Sequence, residues 1–100
     1  MKPTDAMHKP VVRQWFAHFI EHTEPPKTFS ATAVAQSLSH NELKSLGYEK
    51  WQEVLPAVIE LAFEMRAFGD CVILKGGKLL GEDVSPYEVD GGIRIGRNDG

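Results

Sequence analysis

A chain of 100 residues with 42% hydrophobic and 25% charged side chains suits one domain with a small core, and excludes wholesale disorder. Eleven Lys and Arg against 14 Asp and Glu give a net charge of -3, so any affinity for nucleic acid or anionic membrane must come from a local gathering of cations. The single cysteine, Cys71, excludes an internal disulfide and a cysteine-built zinc site, and a cytoplasmic location is expected.

In chain order, residues 1–9 (MKPTDAMHK) are polar and read as a flexible N-terminal arm without the apolar stretch of a secretory signal. Proline suits the first helical position, so a helix is expected from Pro10. Val11, Val12, Trp15, Phe16, Phe19 and Ile20 recur as pairs four apart and form its apolar stripe, and Pro25-Pro26 stops it. Thr28-Phe29 reads as a short extended piece. Ser30 is the expected N-cap of a helix through Leu38, with Ala33, Val34 and Leu38 facing inward. Ser39-His40-Asn41-Glu42 has capping-box spacing and predicts a short helix over 40–46 that buries Leu43 and Leu46 and stops at Gly47.

The longest helix is expected over 49–68. Trp51, Val54, Leu55, Val58, Ile59, Leu61, Ala62, Met65 and Phe68 fall on one arc of it, and Gly69 sits where a C-terminal stop belongs. Pro56 lies just past the first turn, whose amides have no internal partner, so the helix tolerates it. The period then changes. Cys71–Lys75, Gly76-Gly77 and Lys78–Leu80 read as a hairpin, with glycines supplying the positive φ angles of a tight turn. Residues 81–92 (GEDVSPYEVDGG) read as a loop, Ile93–Ile95 as a last strand, and 98–100 as a tail. The expected architecture is one α+β domain over 10–97: a bundle of three to four helices and a small antiparallel C-terminal sheet, in winged-helix order.

Trp51-x3-Leu55-Pro56-x-Val58, Gly69 before the hairpin, and Gly92-Ile93-Arg94-Ile95 together resemble a family of short bacterial domains of unknown function with a winged-helix fold. Ser30-x3-Val34-Ala35 is similar to that family's second helix. Two departures stand out: the longer run from Ser39 to Lys50, and Ile59 where many members carry a basic residue. The resemblance implies a fold and brings no activity with it.

Two functional readings follow, of different classes. A nucleic-acid-binding, regulator-type module would contact phosphates through Lys75 and Lys78 at the wing, Arg94 and Arg97 on the last strand, and Lys44 and Lys50 in the loop region. The face of the long helix opposite Val58 carries Glu53, Glu60 and Glu64 beside Ala57 and Ala67, which would repel a DNA backbone. A protein-interaction module would use that acidic face together with Phe63, which falls outside the apolar arc. The spacing of His18 and His22 suits a metal, but no third ligand accompanies them. KGGK opens no helix and is a turn, not a phosphate loop. No catalytic constellation, metal or cofactor is expected, and no apolar run approaches the roughly 20 residues of a membrane helix.

Overall fold

The computed structural model describes residues 2–98. A one-turn helix α1 (Pro3–Ala6) precedes four helices: α2 (Pro10–His22), α3 (Ala31–Ser37), α4 (His40–Ser45) and α5 (Trp51–Ala67). The strands are β1 (Phe29–Ser30), β2 (Cys71–Lys75), β3 (Lys78–Leu79) and β4 (Arg94–Arg97), with a 3-10 turn at Pro86–Glu88 before β4.

Local chemistry sets most boundaries. Pro10 opens α2 and the chain leaves the helix before Pro25-Pro26. The Ser30 hydroxyl accepts the Ala33 amide at 3.0 Å and caps α3. At α4 the Ser39 hydroxyl accepts the Glu42 amide at 3.1 Å while the Glu42 carboxylate accepts the Ser39 amide at 2.8 Å, so two orphan donors are satisfied reciprocally. At the far end of α5, Gly69 (φ +83°) sends its amide to Arg66 O and Asp70 sends its own to Met65 O, both at 2.9 Å. Those two bonds form a Schellman stop, which requires the left-handed backbone that glycine adopts without penalty.

Gly76 and Gly77, with φ of +59° and +80°, turn β2 into β3 and set Lys75 opposite Lys78 and Leu74 opposite Leu79. The last strand does not extend the hairpin outward. β4 lies between β1 and β2 in an antiparallel sheet of order β1-β4-β2-β3. Phe29, Ile95 and Ile73 share one inward row and are buried, whereas Ser30, Arg94, Leu74 and Leu79 share the opposite face. This α+β arrangement, with a strand after the first full helix and a hairpin plus strand after the last, is compatible with a winged-helix-like fold. The core joins Val12 and Phe16 of α2, Val34 and Ala35 of α3, and Val54, Val58 and Leu61 of α5 to the inner face of the sheet.

Several expectations are corrected. Residues 1–9 do not all form an arm: α1 packs on α5, and Ala6 and Met7 belong to the core. Ala57 is fully buried, not outward-facing, because α1, α3 and the sheet pack on α5 from more than one side and widen its buried arc. Phe68, expected inside, is 71% exposed, since it is the C-cap residue and the chain turns away there. Of the expected tail, Asn98 is tied down by its side-chain amide to Gly69 O at 2.9 Å; residues 99 and 100 lie outside the described residues.

Candidate functional site

The loop over 81–92 folds back over part of the outward face of α5. Ser85 and Glu88 sit at capping-box spacing, and the Glu88 carboxylate accepts the Ser85 amide at 2.9 Å, holding the turn at 86–88. From that turn Tyr87 donates its hydroxyl to Glu60 of α5 at 2.9 Å. The acceptor carboxylate raises the Tyr87 pKa, so the phenol keeps its proton. Further along, Gly91 O accepts both the amide and the hydroxyl of Thr32 in α3, at 3.2 and 3.0 Å. The loop is thus fastened to α5 at one point and to α3 at another.

A groove of about 320 Å³ lies between α5 and this loop. Leu55, Pro56 and Ile59 of α5 and Val89 of the loop supply its apolar surface; Glu60, Asp90 and Tyr87 stand at its edges. Tyr87 is 83% exposed, the most exposed of the large hydrophobic side chains. Sequence reading passed over Tyr87 because it sits in a turn-rich polar stretch. The signal was present: Ser85-Pro86-x-Glu88 is a cap followed by a proline, which marks a helical turn that fixes its aromatic residue.

The three glutamates of the acidic row have separate tasks. Glu53 accepts the amides of Glu49 and Lys50 at 2.7 and 3.3 Å, closing the start of α5, and those bonds lower its pKa. Glu60 receives Tyr87. Glu64 forms an ion pair with Arg13 of α2 at 3.0 Å. Phe63 is half-buried against the core, and the Arg66 guanidinium lies 4.7 Å from its ring centroid.

The six cations expected to meet phosphate are placed as follows. Lys75 and Lys78 are exposed and face each other across the hairpin end. Arg94 lies on the outer sheet face and donates to the Thr28 hydroxyl and carbonyl at 3.0 and 2.8 Å. Arg97 lies opposite Cys71, on the inward side, and reaches Glu21 O at 3.5 Å. Lys44 and Lys50 are exposed on α4 and at the start of α5. Alternation along β4 therefore sends Arg94 and Arg97 to opposite faces. Arg97 and Arg13 line a second cavity, of about 380 Å³, whose wall also carries Glu21 and Asp70.

His18 and His22 stack with ring centroids 4.2 Å apart, and His22 Nδ1 lies 2.8 Å from the His18 carbonyl oxygen. Among the described residues no group of three His, Cys, Asp or Glu could hold a metal ion. Cys71 is buried, and burial pushes its thiol up to about 12.

Residues 9–98 match the family described as "Protein of unknown function (DUF3253)". The chain belongs to that family. The match places the chain in a family of unknown function, and no curated protein and no solved structure matches the chain. The matched DUF3253 region begins after α1 and contains α5 and the loop over 81–92, so the whole groove lies within it. No helix among the described residues is long and apolar enough to cross a membrane.

Proposed function

We propose that this DUF3253 domain is a binding module whose partner is a protein, docked on the groove between α5 and the turn at 86–88. The observation that carries this reading is the seating of the loop on α5, which leaves an exposed aromatic beside an apolar groove. Aromatic side chains next to apolar pockets are the usual anchors of protein interfaces. The nucleic-acid reading has thinner support. A winged helix that reads DNA inserts the free face of its third helix into the major groove and needs cations near the phosphates. Here that face carries Gln52, Glu53, Pro56 and Glu60 and is partly overlaid, while Arg94 and Arg97 lie on opposite faces of the sheet.

The test is selection of ligands from a displayed random-peptide library, followed by mapping of the bound site from amide and methyl chemical shifts. Shifts should concentrate at Leu55, Ile59, Tyr87 and Val89, and Tyr87→Ala should weaken binding about tenfold or more. Failure to select any ligand, or shifts centred elsewhere, would overturn the reading. So would tight binding of random duplex DNA at low salt with shifts at Lys75 and Lys78.

A further inference from the structure

We infer that the occupant of the α5–loop groove is a partner segment that presents an arginine or lysine side chain, its stem on Leu55 and Ile59 and its charge at Glu60 and Asp90. The inference rests on the reading of this groove as a protein-docking site and names what the site selects.

Charge is the first reason. The groove is lined by two carboxylates, Glu60 and Asp90, and by no lysine or arginine. The loop over 81–92 adds Glu82, Asp83 and Glu88 and likewise carries no lysine or arginine. A cationic segment is steered toward such a surface and an anionic one is repelled.

Fixed geometry is the second. Each lining carboxylate is held by one of its oxygens: Glu60 Oε1 accepts the Tyr87 hydroxyl at 2.9 Å and Asp90 Oδ1 accepts the Gly92 amide at 2.8 Å. Among the described residues, the second oxygen of each has no side-chain or backbone donor. Both acceptors are therefore positioned before a ligand arrives, which reduces the ordering entropy of forming a charged hydrogen bond.

The third reason is the apolar surface that lines the groove beside the two carboxylates. A purely apolar side chain seated there would strip water from the two free oxygens without replacing it. A bare cation would leave Leu55, Pro56 and Ile59 unused. A lysine or arginine side chain satisfies both demands, because its methylenes cover apolar surface while its head stays with the acids. Arginine fits better, since a planar guanidinium both bonds carboxylates and stacks on the exposed Tyr87 ring.

The experiment uses the full chain and four fluorescein-labelled peptides of one sequence, with arginine, lysine, citrulline or glutamate between two leucines. Binding is read by anisotropy at about 20 and about 150 mM salt, and the bound site by amide shifts. The arginine peptide should bind about tenfold more tightly than its citrulline twin and weaken at high salt, and the glutamate peptide should not bind. Glu60→Gln with Asp90→Asn keeps acceptors for Tyr87 and Gly92, so the fold is retained. It should bring the arginine peptide down to the citrulline level. Equal affinity of the arginine and citrulline peptides, with shifts in the groove, would overturn the cation preference and leave the docking site standing. No groove shifts from any of the four peptides would overturn the preference, while the library selection decides the docking site separately. Free arginine amide binding there as tightly as the peptide, or self-association through the groove without peptide, would also overturn the inference.

Discussion

Gly91 has an ordinary backbone, and space is what keeps a side chain away from it. A Cβ at that position would lie 2.1 Å from Thr32 Oγ1 and 2.9 Å from Leu55 Cδ2. Thr32 cannot swing aside cheaply, since its hydroxyl is already committed to Gly91 O. Gly91→Ala should therefore destabilise the fold by about 1–3 kcal/mol, the range for an overpacked site. Gly81→Ala meets mainly the exposed Asp83 carboxylate, at 2.6 Å, and should stay within about 0.5 kcal/mol of the parent. Urea unfolding of both variants checks the contrast; equal midpoints would contradict it. None of this was legible from the glycine pair at 91–92, which signals a turn whether or not a helix lies against it. Ala57, buried where the sequence put it outward, has a related origin. A helical arc shows which residues lie side by side, and says nothing of how many neighbours will press on its edges.

At the scale of elements, the helix ends were the most legible features, because caps are local chemistry written within four residues. Glu42 shows how such a cap also ties two elements together. It accepts the Ser39 amide and, from α2, the Trp15 indole N–H at 3.1 and 3.2 Å. The Ser39 backbone bond is the largest influence on its carboxyl and holds it below the ordinary 4.5, against a smaller opposing effect of burial. An acid whose pKa is lowered by folding stabilises the native state fully above its unfolded value, and that contribution fades as pH falls through the folded one. Melting temperature should thus decline on acidification below about 4.5, and Glu42→Gln should decline less steeply over the same range. Parallel declines would remove Glu42 from the account of acid sensitivity. The strand order was not legible at this scale. β4 pairs with β1 across more than sixty residues of sequence, and no local pattern in Ile93–Ile95 says that it will lie in the middle of the sheet.

For the molecule as a whole, the order of the four helices from Pro10 to Ala67 and the facing of the hairpin on the long helix followed from periodicity and from the change of period at Gly69. The functional surface did not, because it is made by a loop with no periodicity folding back over a helix it does not adjoin in sequence. Charge totals were silent for a similar reason: 14 acids and 11 bases can be dispersed or gathered, and only the fold decides. Here the fold sends Arg94 and Arg97 to opposite faces of the sheet and sets Asp90 of the loop in one groove with Glu60. Everything proposed for the groove requires the turn at 86–88 to rest on α5 in the free protein. The most direct measurement is a nuclear Overhauser spectrum of the unliganded chain, read between the Tyr87 ring protons and the Glu60 methylenes. Cross-peaks between them, with non-random shifts across 81–92, are the expected result. Their absence, together with random-coil shifts through that loop, would mean that α5 is bare and that the groove does not exist.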